Sequence, residues 1–229
     1  MGIPAFACYY QYATMRAHDK TGRRKLAALY GSLPLSARLF IRLRLAILPL
    51  EEVEPAVPCG VILDVGCGYG LLSHYIAAKD PRRTVTGVEY DTTLVLRANW
   101  TACGMKRIRF VEGDAETMPL AEYDGIVLCD VLHHLSPTGQ EHCMAMAARS
   151  LSAGGRLVVK DIEKERSVFY YWNLFHDRVM RLSGPTFHRT AEEWARMAEA
   201  EGLTIIEVRH FRHLLYHHIL LIAERPPAL

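Results

Sequence analysis

The 229-residue chain has no CxxC pair, and its six cysteines, Cys8, Cys59, Cys67, Cys103, Cys129 and Cys143, follow no regular spacing. A disulfide framework and a zinc knuckle are excluded on that ground, and a reducing, cytoplasmic setting is expected. Cys129, His133, His134, His142 and Cys143 crowd together, but in strand and helix positions such residues pack, so no metal is expected. Long apolar runs are also missing. The longest, Leu214 to Ala223, is broken by His217 and His218 and falls far short of the ~20 residues of a spanning helix. The first fifteen residues carry no base ahead of an apolar core, so no signal peptide is expected, and Phe6 spoils the myristoylation pattern that Gly2 would open. There is little net charge, only +2, hence no overall pull toward nucleic acid. Internal repeats and low-complexity stretches are absent.

Half the residues are hydrophobic and 23% are charged, the composition of a folded domain able to bury a sizeable core. The charge is unevenly spread. Residues 1–50 hold eight bases against one acid, a net +7, leaving −5 for the remainder. Pro55, Pro58 and Gly60 mark a join, so residues 1–58 are expected to form a basic helical segment and 59–229 the main domain. Within that segment Ser36 to Leu48 mixes Arg38, Arg42 and Arg44 with large apolar side chains. The mixture suits a helix lying on anionic lipid, giving peripheral membrane contact through residues 36–48. It equally suits a helix that covers the site with its arginines reaching out to water.

From residue 60 onward, β-branched runs alternate with helical patterns. Strands are predicted at Val61–Val65, Thr84–Glu89, Ile108–Glu112, Gly125–Cys129 and Arg156–Asp161, with helices near 71–79, 92–102 and 137–151, the last capped by Ser136. Lys164 to Leu182 reads as a long aromatic helix, and Thr190 with Glu193 as a capping box for another that ends at Gly202. Leu203–Phe211 and Tyr216–Glu224 then form a hairpin. The expected architecture is α/β: a Rossmann-like, doubly wound seven-stranded sheet, mostly parallel with an antiparallel C-terminal strand, and an N-terminal helical segment.

The segment Val61-Ile-Leu-Asp-Val-Gly-Cys-Gly-Tyr-Gly70 runs an apolar strand into a glycine-rich turn and a helix. A dinucleotide fingerprint would need glycine at position 71, where the chain has Leu71, so NAD is disfavoured. Asp64 instead sets a carboxylate two residues before the first glycine, suited to a ligand bearing an ammonium group. Glu89 ends the second strand, Gly113-Asp-Ala115 follows the third, Val127 to Ser136 spans the fourth with its loop, and Leu151-Ser-Ala-Gly-Gly155 introduces the fifth.

In these ordered motifs, over roughly residues 60–224, the sequence resembles the class I S-adenosylmethionine-dependent methyltransferases. The resemblance implies S-adenosyl-L-methionine as cofactor. Asp64, Gly66, Cys67, Gly68 and Gly70 would hold its methionine end, Glu89 with neighbouring Tyr90 its ribose, and Asp114 with Ala115 its adenine. Cys129 and Asp130 would lie beneath the sulfonium. His133 and His134, on the loop after the fourth strand, are candidates for a general base or a substrate hydrogen-bond donor, though the pair also serves only to shape that loop.

The fourth-strand loop lacks the Pro-Pro-aromatic signature of amino-methylating DNA and RNA enzymes. The Pro-Cys nucleophile of cytosine enzymes is missing there too, Pro58-Cys59 lying before the first strand. DNA is therefore not expected as a partner, and RNA is disfavoured. The run Val168 to Phe175, with five aromatics, serves either as extra core or as the wall of an apolar pocket. The expected activity is methyl transfer to a small, apolar or lipid-like molecule, the acceptor atom being open among oxygen, nitrogen and carbon; the alternatives are an RNA methyltransferase using the basic N-terminal segment and a catalytically silent, membrane-associated scaffold that binds the cofactor. His210, His213, His217 and His218 are read as exposed residues of the hairpin turn, some within reach of the substrate.

Overall fold

The computed structural model describes residues 21–116, 121–163, 186–214 and 216–227. Two helices come first, α1 (Thr21–Leu29) and α2 (Leu35–Ile47), followed by a helical turn at Leu50–Val53 and a 3-10 turn at Glu54–Ala56. The sheet then builds through β1 (Gly60–Val65), α3 (Leu71–Lys79), β2 (Arg83–Glu89), α4 (Thr92–Thr101), β3 (Ile108–Glu112) and β4 (Tyr123–Cys129). It ends with α5 (Pro137–Ser150), β5 (Leu151–Ile162), α6 (Ala191–Ala200), β6 (Thr204–His213) and β7 (Tyr216–Glu224).

Among the described residues seven strands form one sheet in the order β3-β2-β1-β4-β5-β7-β6, and β7 alone runs antiparallel to the other six. This is the expected doubly wound sheet with its inserted hairpin. Order reverses at β1, where chain crossovers leave toward β2 on one side and β4 on the other. The carboxyl ends of those strands therefore border a crevice, the usual ligand position in open parallel sheets.

Side-chain alternation divides the core between the two faces. Ile62, Val127, Val158 and Leu220 point toward α1–α4, packing with Leu26, Leu29, Ile41, Leu45 and Ile76. Leu63, Ile126, Leu128, Leu157 and Leu221 point the other way, onto Met144 and Ala147 of α5 and Trp194 and Ala198 of α6. The N-terminal helices thus share a core with the sheet.

The helix starts follow the sequence signals. Ser136 accepts from the Gly139 amide at 3.0 Å, and Thr190 with Glu193 closes the capping box. Asp91 caps α4 through the amides of Thr93 and Leu94. Several boundaries differ from expectation by one or two residues, and that between α5 and β5 by more. The helix predicted over 137–151 stops at Ser150 because Leu151 already pairs with Tyr123, and β5 runs twelve residues across a register shift at Tyr123/Gly125. The helix predicted for Lys164 to Leu182, with its aromatic run, lies outside the described residues.

Buried Arg83, at the start of β2, ties the N-terminal turn to the sheet. It donates to Glu54 at 2.6 Å and to the carbonyls of Val57 at 2.6 Å and Pro58 at 3.0 Å. Removing a buried guanidinium leaves a carboxylate and several carbonyls without donors, whereas an exposed ion pair contributes little. Arg83→Met should cost about 3–5 kcal/mol in chemical denaturation, and Arg82→Ala, at an exposed pair, should leave the denaturation midpoint close to native.

Candidate functional site

A cavity of about 370 Å³ opens at the carboxyl ends of β1, β2 and β4. Its wall includes Asp64, Gly66, Cys67, Gly68, Glu89, Cys129, Asp130, His133 and His134, nine of the thirteen positions singled out from the sequence. Gly70 lies outside this wall and closes the turn, its amide donating to the Cys67 carbonyl at 2.8 Å. Tyr90, Asp114 and Ala115 lie beyond this wall: Tyr90 is 68% exposed, and Asp114 stands one strand over, its side chain accepting from the Glu116 amide at 2.9 Å.

The glycine turn is held open by conformations that other residues resist. Gly66, Gly68 and Gly70 have φ of +69°, +55° and +75°. A Cβ on Gly66 would strike Val131 and one on Gly70 would come within 2.3 Å of the Phe110 ring, while at Gly68 nothing stands within 4 Å. Bare backbone at Gly68 therefore faces open space next to the carboxylates, which leaves room for a ligand to lie against it.

Two carboxylates share this turn. Glu89 accepts from the amides of Gly68 at 2.9 Å, Tyr90 at 3.0 Å and Asp91 at 3.2 Å, and Asp64 accepts from the Ser73 hydroxyl. Neither has a basic side-chain partner among the described residues. Burial pushes Asp64 up to about 7, against the Ser73 hydrogen bond, and the nearby Glu89 charge adds to the rise. An incoming cation would relieve that cost. The buried acids, the open glycine backbone and the apolar walls of Leu71, Leu72 and Leu94 fit a cationic ligand with an apolar body.

Asp130 is differently placed. It has a left-handed backbone, φ +54°, and its carboxylate pairs with Lys160 of β5 at 2.6 Å and Arg44 of α2 at 2.8 Å. Burial alone would raise its pKa, but Lys160 and then Arg44 outweigh it and hold the carboxyl well below the usual range. His218 is buried beside this cluster rather than exposed, as the sequence reading had it. Desolvation, helped by the Lys160 charge, pushes it down to about 2. Arg44 carries α2 over the cavity, where Phe40, Ile47 and Leu48 join the wall. The Phe40 and Tyr69 rings lie 5.7 Å apart, and the Tyr30 hydroxyl donates to the Tyr69 carbonyl at 2.8 Å.

His133 sits on a 3-10 turn, Leu132–His134, and is buried. Its Nδ1 lies 2.5 Å from Asp161 Oδ1, and its backbone amide donates to Asp161 Oδ2 at 3.2 Å. A carboxylate only accepts, so Nδ1 carries the hydrogen and Nε2 is the basic nitrogen. Buried Gln140 clamps the turn by donating to the carbonyls of Leu132 and Phe187, at 3.0 and 2.7 Å. His188 stacks on His133 with centroids 5.1 Å apart, and donor atoms of His133, Asp161 and His188 all lie within 4.8 Å of one another.

Sequence reasoning missed Lys160, Asp161 and His188. The first two end β5, and an acid closing a parallel strand, as Asp64 and Glu89 do, was the available signal. His188 lies in no motif.

Residues 62–155 match a family described as a methyltransferase domain. An uncharacterized methyltransferase of Mycobacterium tuberculosis (strain H37Rv) is 33% identical over 47% of this chain and 54% of its own length, so the chain spans about half of that relative. A ubiquinone biosynthesis O-methyltransferase of Xylella fastidiosa (strain 9a5c) is 28% identical over 72% of this chain and 70% of its own. An O-methyltransferase family protein from Burkholderia thailandensis has the same fold, with TM-score 0.70 and 18% identity over 93% of this chain and 62% of that one. Among the described residues no helix is long and apolar enough to cross a membrane.

The doubly anchored Asp130 offers a test of the site's construction. Lys160→Met should destabilise by about 3 kcal/mol, and Lys160→Met with Asp130→Asn by at least about 1 kcal/mol less than the sum of the single changes. Equilibrium denaturation of the three variants measures that coupling.

Proposed function

We propose that this chain, a class I S-adenosylmethionine-dependent methyltransferase by its domain and fold, moves a methyl group to a small, apolar acceptor that enters beside α2. The observation that carries the reading is the pair of buried carboxylates, Asp64 and Glu89, set around a glycine turn and lacking any basic side-chain partner among the described residues. When bound, S-adenosylmethionine supplies an electrophilic methyl on a sulfonium.

In this reading Asp64 and the 66–70 turn take the cofactor's cationic end and Glu89 its ribose hydroxyls, with Tyr90, Asp114 and Ala115 bordering the adenine end. Cys129 and Asp130 floor the transfer position. Lys160 and Arg44 keep Asp130 ionised and fixed, so its carboxylate shapes the floor without competing as a nucleophile. Phe40, Ile47 and Ile162 give the acceptor an apolar wall and exclude water. His133 Nε2 takes the acceptor's proton, and Asp161 stabilises the resulting imidazolium while fixing the ring. His134, its ring 3.9 Å from that of His133, shapes the same wall. The Xylella relative, named as an O-methyltransferase of ubiquinone biosynthesis, supports an apolar acceptor methylated at oxygen.

Both Asp161 oxygens accept hydrogens, from His133 Nδ1, the His133 amide and the Ile162 amide, which supports a dyad that needs no metal. Turnover should be unchanged by a chelator. Calorimetry with S-adenosylmethionine should show binding by the native chain and at least about tenfold weaker binding by folded Asp64→Ala and Glu89→Ala variants. Unchanged affinity in both would refute the site assignment. His133→Gln should lower kcat by about 100-fold with cofactor affinity retained. Asp161→Asn should lower it similarly, because the ring loses its fixed tautomer.

A further inference from the structure

Helix α2 is apolar on two sides. Ala37, Ile41 and Leu45 face the core, as an amphipathic helix requires. Leu35, Leu39 and Leu43 form a second row at spacings of four and point outward, 76%, 67% and 45% exposed. Nothing in the folding of a water-surrounded domain calls for that row.

Basic groups border it on one flank. Arg38 and Arg42, with Arg23 and Arg24 of α1, line a groove of about 570 Å³ between the two helices, whose remaining wall is Ala27, Ala28, Gly31, Leu45 and Ala46. Among the described residues no acid lines this groove. Arg23 is engaged by Glu51 and by the Leu45 and Leu48 carbonyls, but Arg24, Arg38 and Arg42 make no ion pair or hydrogen bond among the described residues. Three such guanidiniums around one groove repel each other until an anion bridges them, and phosphate suits their geometry. Beyond the α1–α2 turn, exposed Trp100 donates to Ser32 at 3.2 Å, with Leu96 one helical turn away and equally exposed. An indole with a wet edge and an apolar face is typical of a membrane–water boundary.

From these features we infer that the outer side of α2, with the arginine groove and Trp100, is a docking surface for an anionic lipid bilayer. Headgroup phosphates occupy the groove, and Leu35, Leu39 and Leu43 enter the acyl boundary. RNA would satisfy the arginines but leave the leucine row in water, so lipid fits both halves of the surface. Phe40, Arg44 and Ile47 of the same helix line the cavity, so adsorption sets its mouth at headgroup depth. Delivery of an apolar acceptor from the bilayer follows, a consequence that rests on the methyl-transfer reading; the docking itself does not.

The test is sedimentation of the full chain with vesicles of phosphatidylcholine alone and of phosphatidylcholine mixed with phosphatidylglycerol. Binding to the anionic vesicles should exceed that to neutral ones by at least about tenfold and fall with salt. Arg38→Glu with Arg42→Glu should reduce it about tenfold, and Leu39→Asn with Leu43→Asn about fivefold. These four side chains lie outside the cavity wall, so melting temperature and cofactor affinity should remain native, which separates failure here from failure of the methyl-transfer reading. Equal partition onto both vesicle types overturns the inference. So does a leucine variant that binds like the native chain, or a short RNA that displaces vesicles and binds independently of the leucines.

Discussion

Two carboxyl groups buried side by side at the ends of β1 and β2 are the constraint around which the site is arranged. Asp64 and Glu89 are both almost inaccessible to water. Burial of unpaired carboxylates is costly, and the fold offsets part of the cost with one hydroxyl and three backbone amides rather than with a basic side chain. The glycine turn follows from this: only a backbone at positive φ, stripped of side chains, brings the Gly68 amide to Glu89 while leaving space in front of it. What remains unsatisfied is charge, and that selects the ligand's sign.

The neighbouring acid shows the contrasting solution. Asp130 meets Lys160 from β5 and Arg44 from α2, so a third carboxylate in the same cavity is neutralised from within. Arg44 also makes the N-terminal helices part of the site instead of an appendage. Together with the Tyr30 bond to the glycine turn and the Phe40 contact with Tyr69, it fixes an apolar roof over the cavity. That roof is the helix whose outer face carries the exposed leucines, so cofactor cavity and surface patch are two sides of one element.

Much of this was legible in the sequence because it is local. Strand-length runs, the Ser136 and Thr190 caps, the glycine spacing and the acids at strand ends all depend on residues close in the chain, and the sheet order follows from βα alternation closed by a hairpin. The missing parts are those created by distance in the chain. Asp161 reaches His133 across 28 residues and Arg44 reaches Asp130 across 86, partnerships that no periodicity encodes. His218 was read as exposed because a turn lay close by, yet its strand position turns it into the sheet beside Lys160. The early start of β5 was hidden by glycines that read as a loop and instead accompany a register shift.

The most direct measurement is calorimetric titration of S-adenosylmethionine from about pH 6 to about pH 8, in buffers of different ionisation enthalpy. Asp64, held near 7 by burial, must be ionised to oppose a cation, so binding below that value has to expel its proton. The account predicts affinity rising with pH toward about tenfold per unit below neutrality, levelling above it, with up to one proton released at the acidic end. Affinity independent of pH, with no proton released, would contradict it.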